Sequence, residues 1–368
     1  MRIGLDGMPL AQLRTGVGTY TFELARALAA EAPADEFELI SPLPYDETGP
    51  TGVPANLQLI YSRPNLLQRR WWTLGLPSYL KRNPLALFHG TNYEVPLRAQ
   101  CPTVVTIHDL SLLLHSSTHE ARAVRRARLL LPLMARRASR IITPSEQVRD
   151  EVCEHLKIPR DKVFATPLAP RASFTPMAPE ESVAVRKRLE IEDEFLLFVG
   201  TIEPRKNLAT VIEALELLLL VTGWEPQLVV AGKIGWKVDA VLARVQQSPI
   251  RDRVRLIGFV TDEELRALYS SCSAFVYPSI YEGFGLPPLE AMACGAPVIA
   301  SRVPSIKESV ARIVSATDST KLAEVIVELL TDEQARRSLS ERGIKHAREF
   351  SWQRTAALTR EVYAEALR

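Results

Sequence analysis

Apolar and polar positions follow two rhythms along this chain. Short apolar runs alternate with longer stretches whose apolar positions recur three and four residues apart, the marks of buried strands and of helices. The pattern predicts a strand at Ile3–Leu5, then a helix carrying Phe22, Leu24, Ala25 and Leu28. Strands follow at Phe37–Ile40 and Leu57–Tyr61, with a Pro/Gly-rich loop over Ser41–Pro54, and then at Ala86–Phe88 and Thr103–Ile107. A helical pattern runs from His119 to Ser139, and Pro132 is expected to kink or interrupt it. The strand Arg140–Thr143 leads to a helix capped by Ser145 alone, because Val148 stands where a capping box needs Glu or Gln. The strand Val163–Thr166 closes this half, and a proline-rich linker occupies Pro167–Pro179.

The second half repeats the alternation. Helices are predicted at Glu180–Leu189, Leu208–Leu220 and Asp262–Ser270, the last with a Thr261/Glu264 capping box. Strands are predicted at Phe195–Val199, Gln227–Ala231, Asp252–Val260, Ser273–Val276 and Val298–Ala300. A short helix over Leu289–Cys294 should stop at Gly295, and Ser301–Ser309 reads as a loop and short helix. Helices over Thr320–Leu330 and Glu333–Glu349 and a last one opened by Phe350-Ser351-Trp352 complete the chain. Strands alternating with helices predict an α/β protein with parallel sheets.

The length of 368 residues predicts two domains, and 46% hydrophobic residues mark a globular chain. Lys plus Arg total 45 against 43 Asp plus Glu, so net charge points to no partner and nothing suggests nucleic acid. Cys101, Cys153, Cys272 and Cys294 show no paired spacing, which fits free thiols in a reducing compartment and no zinc site. Met1-Arg2 runs straight into the first strand, and no apolar run approaches the ~18 residues of a spanning helix. A cytosolic protein is expected.

The chemistry concentrates at Tyr277–Pro297, YPSIYEGFGLPPLEAMACGAP. Glu282 and Glu290 stand eight residues apart, with Gly283 and Gly285 flanking Phe284 and with Pro287 and Pro288 suited to a helix entry. Glu282 is placed in a glycine loop and Glu290 in a first helical turn, both at the carboxyl end of a strand, where free N–H groups suit a phosphate. For each glutamate alone, a charge complementing a helix dipole or a solvated loop charge is the alternative. The strand Phe195–Val199 ends in Gly200-Thr201-Ile202-Glu203-Pro204-Arg205-Lys206-Asn207, where two adjacent cations before a helix can neutralise a diphosphate. Gly16 and Gly18 between a strand and a helix form a weaker phosphate-cradle pattern, and Thr21 in place of a third glycine argues against a dinucleotide enzyme. His89 reads as structural. His108 is followed by Asp109, which could hold its ring and fix its tautomer. The chain has no D-x-D, Walker A loop or H-E-x-x-H.

Taken together, the E-x7-E string, G-x-x-x-x-R-K-N at Gly200–Asn207 and VVTIHD ending at His108-Asp109 resemble the retaining GT-B glycosyltransferases of family 4, the glycogen-synthase-like clan. Within it they look most like the mannosyltransferase-like branch of bacterial polysaccharide enzymes, and the likeness covers nearly the whole chain. The resemblance implies two Rossmann-like doubly wound domains facing across a cleft. Residues 1–170 would be the acceptor domain and 171–349 the nucleotide-sugar domain, with 350–368 a helix crossing back to the first. It implies a retaining, metal-independent hexosyltransferase with no cofactor, using a nucleotide sugar and a glycan or lipid-linked acceptor in cell-surface polysaccharide synthesis. The branch suggests GDP-mannose, with UDP-glucose or another UDP-sugar as the alternative. His108 would reach the donor sugar and Gly16 and Gly18 would cover the diphosphate. Arg205 and Lys206 would hold that diphosphate, Glu290 the ribose and Glu282 the transferred sugar, with further donor contacts at Gly200, Gly283, Phe284, Gly285 and Leu286. The string Ser309–Ile313 lacks the family's usual glycine-containing turn. An epimerase of nucleotide sugars and a non-catalytic binding protein on the same fold are the competing readings.

Two features suggest a surface partner. Residues 65–81 combine Arg69, Arg70, Trp71, Trp72 and Lys81 with leucines, which suits a membrane interface or acceptor groove, or else a half-buried tryptophan pair. The later helical pattern carries Arg122, Arg125, Arg126, Arg128, Arg136 and Arg137, as a basic amphipathic helix on an anionic membrane would, or a solvated charged face. Contact with the inner face of the cell membrane is the expectation these features raise.

Overall fold

A computed structural model describes residues 1–11, 16–45, 52–63, 70–192 and 194–368. In chain order these form β1 Arg2–Asp6, α1 Gly16–Glu31, β2 Glu36–Ser41, β3 Leu57–Tyr61, α2 Leu76–Arg82, β4 Leu87–Gly90, β5 Thr103–Thr106, α3 Ser111–Leu114, α4 Ala121–Arg137, β6 Arg140–Thr143, α5 Glu146–Leu156 and β7 Val163–Ala165. There follow α6 Pro179–Arg188, β8 Phe195–Val199, α7 Leu208–Thr222, β9 Gln227–Ala231, α8 Asp239–Gln247, β10 Val254–Gly258, α9 Asp262–Ser271 and β11 Ala274–Tyr277. The chain ends with α10 Leu286–Ala293, β12 Val298–Ala300, β13 Arg312–Ile313, α11 Ser319–Thr331, α12 Glu333–Ala347 and α13 Trp352–Leu367.

The chain divides into two compact units. One comprises residues 1–110, 125–168 and 351–368, the other 111–124 and 169–350. The segment Ser111–Val124, expected with the first domain, groups with the second.

The first unit holds a seven-stranded parallel sheet in the order β3-β2-β1-β4-β5-β6-β7. Its strands are short apolar runs because both faces of a parallel sheet are covered by helices. α13 lies against α1, β5 and β6 in this unit. Ser145 caps α5 by accepting from the Val148 N–H at 3.2 Å. α4 is one continuous helix through Pro132, so the expected interruption is absent. The carbonyl that Pro132 leaves without a donor belongs to Arg128, an exposed residue whose carbonyl water can serve. The first glycine pair is also corrected: Gly16 and Gly18 are the opening turn of α1 rather than a loop. Gly18 lets the helix approach β1's following turn, since a Cβ there would meet the Pro9 carbonyl oxygen at 2.9 Å. Residues 65–69, Arg69 among them, and residues 46–51 of the Pro/Gly-rich loop lie outside the described residues.

The second unit holds a six-stranded parallel sheet in the order β10-β9-β8-β11-β12-β13. Its core joins β8 (Leu196, Phe198), β9 (Leu228, Val230) and β11 (Ala274, Val276) to Val211, Ile212 and Leu215 of α7 and to Leu322 and Ile326 of α11. The Thr261/Glu264 capping box forms as expected. Three differences bear on function. α10 starts at Leu286 rather than Leu289, because Gly285 caps it in the left-handed region (φ +92°) and prolines suit its first turn. Glu290 is therefore one turn inside the helix, where complementing the dipole of its first turn is not its role. Residues 301–309 form turns rather than a helix, and the segment without the expected glycine turn supplies β13. Gly295 ends α10 in a Schellman motif, with Ala296 N–H on the Ala291 carbonyl at 2.9 Å and Gly295 N–H on that of Met292 at 3.0 Å.

Candidate functional site

In each sheet the strand order reverses once, between β1 and β4 and between β8 and β11. Ligands of open α/β sheets bind beyond the carboxyl ends of the strands at such a point. In the second unit the loops leaving β8 and β11 carry the predicted residues Gly200–Asn207 and Pro278–Gly285. Asn207 stitches them together. Held in the left-handed region (φ 61°), it caps α7 and donates through Nδ2 to the Pro278 carbonyl at 3.2 Å and the Ala316 carbonyl at 2.5 Å. The Arg205 carbonyl accepts from Ile280 N–H at 2.8 Å. Gly200 faces Gly232, where a Cβ would lie 2.1 Å from the Gly200 oxygen, so that close approach requires glycine.

Four charged side chains meet here. Arg205 donates to Glu203 Oε1 at 2.7 Å and to the Tyr281 carbonyl at 2.8 Å, and stands 3.1 Å from Glu282 Oε1. Lys206 Nζ donates to Tyr277 Oη and to Glu282 Oε1, both at 2.6 Å. Tyr277 passes its own proton toward Glu282 Oε1 at 2.9 Å, and Ser279 Oγ donates to the same oxygen at 2.6 Å. Every donor converges on Oε1; Glu282 Oε2 receives none from the described residues. Burial by itself would raise the Glu282 pKa, but the adjacent Lys206 and Arg205 hold it down at about 2. Burial lowers the Lys206 pKa, with Glu282 opposing. Burial raises that of Glu203 against the pull of Arg205 and Lys206.

Glu290 is 4% exposed. Both its oxygens are taken by Arg171, Nε at 2.9 Å and Nη2 at 3.0 Å, while Arg171 Nη1 reaches Asp262 at 2.5 Å. The guanidinium also lies 3.9 Å over the Phe174 ring. Burial opposes its charge, yet the pairing with Glu290 raises the Arg171 pKa. Phe284 is buried edge-on to Phe350, and its carbonyl accepts from Ser305 N–H at 2.9 Å. Pro287 and Pro288 carry no N–H, so the first turn of α10 offers fewer donors than expected, those of Leu286 and Leu289. Gly283 is buried beside this turn. His115, on the segment that groups with this unit, lies 4.9 Å from the Tyr281 ring at a tilt of 35°.

In the first unit, His108 sits edge-on to Tyr20 at 4.8 Å and Tyr93 at 5.7 Å. Its ring is held by the Thr91 carbonyl, to which Nε2 donates at 2.8 Å, rather than by the Asp109 carboxylate. A carbonyl only accepts, so Nε2 carries the proton and Nδ1 is the acceptor. Burial lowers the His108 pKa. His89 is structural, as read. It is buried between Tyr363 Oη at 2.7 Å and Thr106 Oγ1 at 2.8 Å, and burial lowers its pKa to about 3. Asp6, at the carboxyl end of β1, was not anticipated. It accepts from Met8 N–H at 3.0 Å, and burial raises its pKa to about 7. Gly16 is exposed at the head of α1.

The aromatic part of the surface reading is corrected. Trp71 is 7% exposed and belongs to a core with Ile40, Leu76, Leu80 and Phe88, while Trp72 is half-buried, edge-on to Phe88 at 6.4 Å. The pair is the packed one. On α4, Arg125 and Arg126 are exposed, Arg126 pairing with Glu94 at 2.5 Å, and Leu129 is 76% exposed among the arginines. No helix among the described residues is long and apolar enough to cross a membrane. Nor does any group of three or more His, Cys, Asp or Glu among them form a metal-holding set.

Residues 14–168 match Glycosyltransferase Family 4, and residues 182–346 match the Glycosyl transferases group 1 family. The chain is 30% identical over 386 residues to the O-antigen chain mannosyltransferase B of Escherichia coli, covering 99% of each. It is 32% identical over 290 residues to the serotype-specific mannosyltransferase WbdA of Escherichia coli, a match that spans 76% of this chain and 36% of that longer protein. The sucrose-phosphate synthase of Thermosynechococcus elongatus superposes with a TM-score of 0.80 at 22% identity over 99% of this chain and 98% of that one. WaaG, a glycosyltransferase of lipopolysaccharide biosynthesis, superposes with a TM-score of 0.74 at 16% identity over 98% of both chains. These neighbours share the GT-B fold with this chain.

Proposed function

We propose, for a chain that belongs to the group 1 and family 4 glycosyltransferases, that it moves a hexose from a nucleotide sugar to a glycan or lipid-linked acceptor, with retention and without a metal or other cofactor. The names of its mannosyltransferase relatives favour GDP-mannose as donor and a cell-surface polysaccharide as product. The observation that carries the reading is the arrangement around Glu282. One carboxylate oxygen is fixed by four donors and kept ionised, and the other is left to accept from a sugar hydroxyl. Arg205 and Lys206 at the switch point supply fixed positive charge where a diphosphate departs, the kind of preorganised electrostatics worth about 3 kcal/mol per donor. Glu290, buried and ionised against Arg171, accepts from the ribose hydroxyls. Gly200, Gly283, Gly285 and Leu286 border the diphosphate, and His108 offers Nδ1 to the transferred sugar. No side chain of the cluster is a free nucleophile, which favours same-face transfer with the leaving phosphate taking the acceptor's proton. The exposed α4 face with Arg125, Arg126 and Leu129 is proposed to meet anionic lipid.

The test is incubation with GDP-mannose and with UDP-glucose, with and without a lipid extract, reading the nucleoside diphosphate released. GDP release from GDP-mannose, increased by acceptor and unchanged by EDTA, is expected. No release from any nucleotide sugar would refute the transferase reading. Loss with EDTA restored by Mn²⁺ would refute the metal-free clause.

A further inference from the structure

The four charges of the switch-point cluster cancel. Arg205 and Lys206 face Glu203 and Glu282 at 2.6–3.1 Å. All four side chains are 11% exposed or less. A nucleotide sugar brings a diphosphate diester with two negative charges that do not titrate near neutral pH. Seated on Arg205 and Lys206, it would leave an almost dry site with an excess of two negative charges, an arrangement buried ions do not sustain without compensation. Neutralising one of the two carboxylates halves that excess.

We propose that Glu203 is the charge-compensating residue, taking up a proton when the nucleotide-sugar diphosphate binds to Arg205. This rests on the donor reading above and goes beyond it. Glu203 acts through Arg205, so it is a positioning residue rather than a catalytic one. The geometry distinguishes it from its neighbour. Glu282 Oε1 takes two cations, a tyrosine hydroxyl and a serine hydroxyl. Glu203 is 4% exposed and its carboxylate accepts from Arg205 at 2.7 Å. A phosphate drawing on that guanidinium removes the support of Glu203's charge. Burial already raises the Glu203 pKa while Glu282 is held at about 2. The groups facing Glu203 are Arg205, Lys206 and Glu282 from the two loops. Glu203 also lines a cavity of about 390 Å³ together with Lys237 and Arg244. Arg244 is paired with Glu213 and Glu216, and Lys237 is exposed, where water screens its charge, with its ammonium on the Ser117 carbonyl at 2.7 Å. A protonated Glu203 still accepts from Arg205 through its carbonyl oxygen, so the guanidinium keeps its place.

The experiment is calorimetric titration of the full chain with GDP-mannose and with UDP-glucose, in buffers of differing ionisation heat, across pH 5.5–8. Nucleotide sugars are used because their diester phosphates do not titrate in this window. We expect uptake of a fraction of one proton on binding and affinity that weakens as pH rises, by at most about tenfold per unit. Glu203→Gln mimics the protonated acid. It is expected to bind without proton uptake, with pH-flat affinity, and more tightly than wild type at the upper end of the window. A merely structural role would weaken binding at every pH. Binding by wild type without proton uptake overturns the inference whether or not the variant folds, and so does uptake that persists in Glu203→Gln. Absence of binding to either nucleotide sugar instead overturns the donor reading itself.

Discussion

Arg171→Met isolates the contribution of a single buried ion pair. In the native chain the guanidinium is 14% exposed and the Glu290 side chain 5%, and the two share a bidentate contact at 2.9 and 3.0 Å. Methionine fills much of the volume and removes the charge, so packing changes little. Glu290 is left buried without its counter-ion, a defect that costs about 3–5 kcal/mol. The Asp262 contact adds little, since that carboxylate is 46% exposed. For a unit of this size each kcal/mol lowers Tm by about 2–4 °C, so a fall on the order of 10 °C is expected. Glu290→Gln should cost less, because Arg171 keeps Asp262. The double variant Arg171→Met/Glu290→Gln should recover most of the loss, giving a coupling of about 2–3 kcal/mol in a double-mutant cycle. Urea unfolding of the four proteins measures it. Refutation is straightforward: Arg171→Met within about 1 kcal/mol of wild type, or a double variant as unstable as the two singles summed, would mean that this pair does not hold Glu290.

Four further outcomes are expected. Glu290→Gln should weaken nucleoside diphosphate binding about ten- to a hundredfold, while Glu282→Gln should leave it nearly intact and lower turnover; calorimetry and donor turnover on both variants check this. Glu282 is ionised in the folded chain at pH values where a free glutamate is not, so its stabilisation is full above pH 4.5 and is lost as pH falls toward 2. The urea midpoint of wild type should therefore drop more than that of Glu282→Gln between pH 5 and pH 3. Trp71→Ala should destabilise the protein by about 3–5 kcal/mol, as a core deletion does, without changing lipid binding; a neutral effect on stability would return Trp71 to the surface. Arg125→Glu/Arg126→Glu should abolish co-sedimentation with anionic vesicles at low salt, and a wild-type protein that stays in the supernatant there would dismiss the membrane role of α4.

The strands of both sheets were readable because parallel strands buried on two faces leave short apolar runs, as at Phe195–Val199 and Gln227–Ala231. Arg205, Lys206 and Glu282 were readable because they lie in loops that immediately follow such runs. Arg171 was not: it is 119 residues from the glutamate it pairs with, inside what reads as a proline-rich linker. Glu203 stands two residues from the arginine that was singled out, but only the fold shows it buried against that arginine. Trp71 and Trp72 misled because an aromatic pair beside arginines has the same composition whether it faces lipid or core, and burial decides which. The start of α10 was missed because Gly285's left-handed φ, which moves the cap three residues upstream, is a property of the backbone rather than of the residue pattern.

The return of the last helix to the first unit sets the order of events during synthesis. Tyr363, which closes over His89 at 2.7 Å, and Thr355, which donates to the Pro167 carbonyl at 2.6 Å, are translated after the whole of the second unit. A ribosome that has emitted everything through Phe350 has supplied all of the second unit but not the helix that covers α1 and β5. The earlier-made half of the enzyme is thus the later one to finish. Until α13 arrives, the buried His89 ring lacks one of its two partners and the apolar face of α1 stays open to chaperones. A frameshift or tag that disturbs the carboxyl end would strike the amino-terminal unit first.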